Sequence, residues 1–505
     1  MINQTAPDTT DEIAEALDEG QLAYIKKKSV SGAISYFIRT LLLSGVGIIS
    51  TFALSFYLSP SDFGVFGIVA QVIGLLNFFS DIGLAASLIQ KRQEPSVREL
   101  RSAFTIQQIL SWLIVLICGA VIVSGVLAAK TGPVGNWILL ALAISFPLTS
   151  LKNISSILLE RELAFSKLVI PQMVEQLLFN AVLVYAAWKG LGAMAFTYAI
   201  LIRTVSGVAV MWYIKRWPIG FALNKGDIKG LLQFGVKFQL NDFIARIKDN
   251  LSYLLLGFFL PLQEFGYIQW AKQWSMYPYN LTVQNVISIT FPTFSRLQNN
   301  PLALKKAIEK TMFFVTLLIF PLLIGMSVFI TPLTEIIPRY TKWQPAILTF
   351  ILFTLSIGWA AISTPLTNTL NALGEINKTL KLMILWTSLT WILTPLFVWR
   401  FGFNGVAVAA ILISFTSFLP LRYVRKLVDI QVWPQIWPQL LAASGMAIVG
   451  YLGQALWSSG FAWFALGTII CGVTYLLLIL LFAKEKLLSE VRSIQSRRNL
   501  LFKAT

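Results

Sequence analysis

The chain has 505 residues, of which 56% are hydrophobic and only 12% charged, and its mean hydropathy is +0.72. A soluble domain carries about 25% charged residues, so this composition excludes a soluble fold and leaves a polytopic membrane protein. The net charge of +17 comes without a single His, which removes the commonest general base and metal ligand.

The chain opens on a polar, acidic stretch with Asp8, Asp11, Glu12, Glu15, Asp18 and Glu19, followed by Lys26, Lys27 and Lys28. No secretory signal is read there, so the first apolar segment is expected to remain as a transmembrane helix. A spanning helix needs about 20 apolar residues. Scanning at that length predicts fourteen windows: 29–58, 62–90, 102–129, 136–159, 166–188, 191–214, 230–260, 263–294, 306–330, 343–372, 376–400, 402–424, 436–457 and 460–483. With a cytoplasmic N-terminus, and with charges near a window's end counted with the adjoining loop, 28 Lys and Arg fall on the cytoplasmic side, 5 outside and 7 deeper within windows. That asymmetry follows the positive-inside rule, places both termini in the cytoplasm and assigns the basic charge to anionic lipid rather than nucleic acid. Cys118 and Cys471 both lie in apolar windows and are read as packing residues.

The cytoplasmic linker 215–229 divides the chain after six windows. LSPSDFGVF at 58–66 has a counterpart in LPLQEFGYI at 260–268, which sets Asp62-Phe63-Gly64 beside Glu264-Phe265-Gly266. EPSVRELRSA at 94–103 corresponds to NPLALKKAIE at 300–309, and LGAMAF at 191–196 to NGVAVA at 404–409. The order is kept across six windows. An even number of helices per unit makes the copies parallel, related by an axis along the membrane normal. The expected fold class is therefore an all-α polytopic membrane protein. It comprises a tail 1–28, an N-lobe 29–214, the linker 215–229, a C-lobe 230–424, a helix pair 436–483 and a basic tail 484–505. Pro147, Pro171, Pro278, Pro292, Pro321, Pro365 and Pro395 fall within windows, as ordinary membrane-helix prolines or, for one or two, hinges.

Charges inside windows cost about 3 kcal/mol each at the bilayer centre, so they are expected to face protein or water. They are Arg39, Lys152, Arg203, Lys237, Arg246, Lys248 and Lys272, with Asp81, Glu175, Asp242 and Asp249. In NDFIARIKDN at 241–250, Asp242, Arg246 and Asp249 share one helical arc, whereas Lys237 and Lys248 share the opposite one. Two readings of the first arc stand: a buried ion-pair ladder, or a cavity face where Arg246 exchanges its carboxylates for an anionic ligand. Lys248 is equally a strut between helices or a ligand. Arg39 has no acid nearby on its own window. Glu175 is either a protonatable coupling group or a partner of Arg39, Lys152 or Arg203, and pairing is favoured. Trp270, Trp274 and Tyr277 form a stripe that packing explains by default and sugar stacking as the alternative.

From Pro60, Asp62-Phe63-Gly64, Phe79-Ser80-Asp81-Ile82-Gly83 and Leu88-Ile89-Gln90, the chain resembles the Wzx-type oligosaccharide flippases, the polysaccharide transporter branch of the multidrug/oligosaccharidyl-lipid/polysaccharide (MOP) superfamily. LLERELAFSK at 158–167 and LNALGEINKTLK at 370–381 resemble its cytoplasmic turns. The resemblance implies alternating-access transport of undecaprenyl-pyrophosphate-linked oligosaccharide across the bacterial inner membrane for O-antigen, capsule or exopolysaccharide synthesis. It implies a monomeric transporter, without catalytic residues, cofactor or metal, that works beside a polysaccharide polymerase and other biosynthetic machinery. Helices one, seven and eight line the cavity in such proteins, which points to Arg39, Arg246, Lys248 and Lys272 for substrate. The candidates for ion coupling or gating are acids within windows, Asp242, Asp249 and Glu175. A multidrug antiporter of the same superfamily would favour an acidic cavity instead. A membrane glycosyltransferase or polymerase would need catalytic groups on larger outside loops than these.

Overall fold

The computed structural model describes residues 39–77, 83–91, 93–224 and 250–503, and within them all regular structure is helical. Helix α1 spans Arg39–Tyr57 and α2 Pro60–Leu76. Next come α3 (Leu84–Gln90), α4 (Val97–Val123), α5 (Val126–Arg161), α6 (Phe165–Trp188) and α7 (Met194–Ile214). The later part of the chain holds α8 (Ser252–Phe259), α9 (Leu262–Leu281), α10 (Val283–Arg296), α11 (Pro301–Ile336) and α12 (Ile347–Ala372). It continues through α13 (Ile376–Phe401), α14 (Gly405–Ser414), α15 (Phe418–Arg425), α16 (Trp433–Leu452) and α17 (Phe461–Lys503). All seven prolines named above lie inside helices.

Among the described residues, nine helical stretches are long and apolar enough to cross a bilayer, fewer than the fourteen windows. One of the nine, Ile376–Arg425, carries two windows. The remaining windows fall on α2, which is short, on α8, which follows residues outside the description, and on α9, α10 and α16, which do not reach the same length and hydropathy. The break between α9 and α10 is at Thr282, four residues after Pro278, and the Thr282 hydroxyl donates to the Pro278 carbonyl at 2.6 Å. The Thr282 amide donates to the same carbonyl at 3.1 Å, so this oxygen takes two donors where the helix ends.

The chain divides into two compact units, Met1–Leu54 with Val72–Ile244, and Ser55–Gln71 with Ala245–Thr505. In the first unit α6 packs along α7, and α5 packs on both α4 and α7. Helix α4 starts from a capping box: Ser96 accepts from the Glu99 amide while the Glu99 carboxylate accepts from the Ser96 amide. At the end of α3 the Arg161 guanidinium donates to four carbonyls, those of Leu88 (2.6 Å), Lys91 (2.7 Å), Gln93 (3.0 Å) and Ile89 (3.1 Å). One planar fork thus satisfies the carbonyls that a helix end leaves open.

In the second unit α11, α12, α16 and α17 share a core that buries Met312, Ile319, Leu366, Met446 and Tyr475. The unit includes segment 55–71, the end of α1 and most of α2, whose start is tied down by aromatic residues. The Trp270 indole donates to the Ser55 hydroxyl at 2.9 Å, the Trp343 indole to the Ser55 carbonyl at 2.8 Å, and the two rings stack at 4.9 Å. Lys342 donates to the carbonyls of Phe56 (3.1 Å) and Leu58 (2.6 Å), closing α1. Trp270 is completely buried, so the aromatic stripe on α9 serves packing at that residue.

Candidate functional site

A cavity of about 470 Å³ opens within the second unit between α8, α9, α12, α13 and α14. Lys272, on α9, is the one charged side chain lining it among the described residues. Its ammonium lies 3.6 Å from the centre of the Tyr253 ring on α8. A ring quadrupole attracts a cation without neutralising it, so Lys272 keeps its positive field directed at the cavity. No carboxylate pairs with it among the described residues.

Ten of the 21 lining residues are Ser or Thr, so hydroxyls are interspersed along a wall whose exposed surface is still mostly apolar. Most of these hydroxyls spend their proton on backbone. Thr364 donates to the Ala360 carbonyl at 2.7 Å, Thr390 to Trp386 at 2.7 Å and Ser414 to Ile411 at 2.7 Å. Ser275 donates to Lys272 at 2.9 Å, Thr367 to Thr364 at 2.9 Å and Ser356 to Ala410 on the facing helix at 3.2 Å. A hydroxyl bonded in this way still has acceptor capacity on its oxygen. The cavity therefore offers many acceptors and one ammonium donor, a set suited to a ligand rich in hydroxyl groups that also carries negative charge.

The first unit holds a different arrangement. Lys152 on α5 and Glu175 on α6 form an ion pair, with side chains only 16% and 10% exposed. Gly207 on α7 packs flat against that carboxylate, where any β-carbon would collide with it. Of the partners open to Glu175 from the sequence, the structure selects Lys152. Arg203 lies one turn along α7 from Gly207, with its guanidinium 5.5 Å from the Phe179 ring centre. Arg39 is half-buried at the start of α1 in the same unit. Asp242, Arg246, Lys248 and Asp249 lie outside the described residues, as do Lys237 and Asp81. No group of His, Cys, Asp and Glu among the described residues is arranged to hold a metal ion.

Sequence reasoning located Lys272 but missed the hydroxyls around it. The signal was present as a polar stripe in otherwise apolar helices: Ser356, Ser363 and Thr367 at i, i+7 and i+11 on α12, and Thr390 and Thr394 at i, i+4 on α13.

Residues 54–348, more than half of the chain, match the family described as "Polysaccharide biosynthesis protein". The chain belongs to this family. Among curated relatives, it is 24% identical over 312 residues to the lipopolysaccharide biosynthesis protein WzxC of Escherichia coli (strain K12), covering 60% of this chain and 62% of that protein. It is 21% identical over 270 residues to the succinoglycan biosynthesis transport protein ExoT of Rhizobium meliloti (strain 1021), covering 53% and 54%. The match thus spans less than two thirds of either relative. The fold of this family member is similar to that of the lipid II flippase MurJ in an inward closed conformation, with a TM-score of 0.70, 14% identity, and 91% of this chain and 100% of that chain covered. It is also similar to an inward-facing multidrug resistance MATE family transporter of the MOP superfamily, with a TM-score of 0.54, 14% identity, and 77% and 98% covered. The chain is a multi-pass membrane protein whose helical fold is similar to those of MurJ and the MATE transporter.

Proposed function

We propose that this protein is a flippase that moves lipid-linked oligosaccharide across the bacterial inner membrane for assembly of a cell-surface or exported polysaccharide. The observation that carries this reading is Lys272, an ammonium partnered by an aromatic ring inside a cavity lined by hydroxyl acceptors. Sugar hydroxyls donate to such a wall, and the ammonium complements an acidic sugar or a phosphate. The family match and the similarity to WzxC, a lipopolysaccharide biosynthesis protein, and ExoT, a succinoglycan biosynthesis transport protein, support the same substrate class. The six-helix lobes, the cytoplasmic termini and a working association with a polymerase belong to this proposal. So do the roles of Arg39, Arg246 and Lys248 in substrate binding and of Asp242, Asp249 and Glu175 in gating.

A multidrug antiporter built on the same fold would have to draw an organic cation toward Lys272, against its charge. The test is made in cells from which the gene is deleted. Lipid-linked oligosaccharide is expected to accumulate on the cytoplasmic face, and Lys272→Ala is expected not to restore export although it reaches the membrane folded. Normal export in the deletion strain, with no second flippase present, would sink the proposal.

A further inference from the structure

A second recess in the same unit shares a lone cation with the first but has few hydroxyls. It is a groove of about 330 Å³ between α11, α12, α15 and α16. Phe320 and Leu323 on α11, Leu355 and Gly358 on α12, and Ile436 and Leu440 on α16 form its walls. Thr354 adds little polarity, because its hydroxyl is committed to the Ile351 carbonyl at 2.7 Å and to Ser327 at 2.8 Å. A glycan would find almost nothing to bond here; a hydrocarbon chain would find dispersion contacts along its length.

Arg425 is the one charge lining the groove among the described residues, and it stands at one end. It is exposed, and no carboxylate pairs with it among the described residues. Arg425 closes α15 and Trp433 opens α16, so the charged and amphipathic ends coincide. From Trp433 to Ser444 the wall rises eleven residues, roughly 16 Å along a helix. That matches the hydrocarbon depth of one leaflet, about 15 Å or half of the membrane core.

We propose that this groove holds one acyl chain of an anionic glycerophospholipid, with its phosphate on Arg425. A guanidinium presents a planar fork to phosphate oxygens. The groove offers no carboxylate for the ammonium of a zwitterionic headgroup, so charge favours an anionic one. A depth of one leaflet suits an acyl chain rather than a prenyl chain that crosses the bilayer. The site is separate from the Lys272 cavity, and the proposal does not depend on the transport reading.

The test is native mass spectrometry of the purified full-length protein with phosphatidylglycerol, phosphatidylcholine or a polyprenyl phosphate added. Phosphatidylglycerol is expected to bind more tightly than phosphatidylcholine by on the order of fivefold. Arg425→Gln, at an exposed position, is expected to erase that preference. Leu440→Trp, which fills the groove, is expected to lower occupancy by both phospholipids, with the thermal midpoint confirming that the variant is folded. Equal binding of the two phospholipids by the native protein, or an undiminished preference in Arg425→Gln, overturns the site. Displacement of phosphatidylglycerol by polyprenyl phosphate in the native protein but not in Leu440→Trp overturns the choice of lipid.

Discussion

Gly64 and Gly266 face each other where α2 and α9 cross, each against the first residue of the other's helix. A β-carbon on Gly64 would strike the Leu262 carbonyl, and one on Gly266 would strike the Pro60 carbonyl. The contact is reciprocal under the internal repeat, since Pro60 and Leu262 are separated by the same 202 positions as the two glycines. Gly64→Ala and Gly266→Ala are each expected to lower stability by roughly 1–3 kcal/mol through overpacking. Thermal unfolding in detergent checks this, with Gly119→Ala, which meets nothing within 4 Å, as the neutral control. Unchanged midpoints in both variants would refute the close crossing.

Lys272 is expected to be replaceable in folding but not in transport. Lys272→Gln should leave the thermal midpoint near native and abolish export. Tyr253→Phe keeps the ring and should export normally, whereas Tyr253→Leu removes a cation–π contact worth about 0.5–2 kcal/mol. Export assays on the three variants separate charge from aromatic support.

The Lys152–Glu175 pair calls for a double-mutant cycle. Glu175→Gln leaves a buried ammonium without its counter-charge and is expected to destabilise by about 3–5 kcal/mol. Lys152→Met together with Glu175→Gln should recover most of that loss. If the double variant is stable yet inactive, the pair acts in gating as well as in packing.

Arg161 offers a test of geometry rather than charge. Lysine keeps the charge but cannot span four carbonyls, and hydrogen bonds to a charged group are worth about 1.5–3 kcal/mol each. Arg161→Lys is therefore expected to be nearly as destabilising as Arg161→Gln. A native-like midpoint for the lysine variant would contradict the fork at the end of α3.

Much of this architecture could be read from the chain because helices in lipid must satisfy their own backbone, which ties apolar length to helix. The correspondence of Asp62-Phe63-Gly64 with Glu264-Phe265-Gly266 was legible in the sequence, although the reason for its glycines lies in a contact between segments 202 residues apart. LLERELAFSK and Leu88-Ile89-Gln90 stood out as separate motifs, and Arg161 shows them to be two halves of one capping device. The helix count was less legible. Near α9, α10 and α16 polar residues and prolines dilute the hydropathy on which such a count rests. Lys272 was found because a charge in a window is conspicuous. The hydroxyls were not, since Ser and Thr hide in apolar helices by bonding to their own backbone.

That habit of the cavity's hydroxyls has a consequence for the range of cargo. Acceptors held on several helices, with a single ammonium, respond to how many hydroxyls a ligand presents more than to the configuration at any one carbon. Under the proposed function, epimeric sugars would pass with similar ease. The fidelity of the exported polymer would then rest with the enzymes that assemble the repeat unit, upstream of the membrane step.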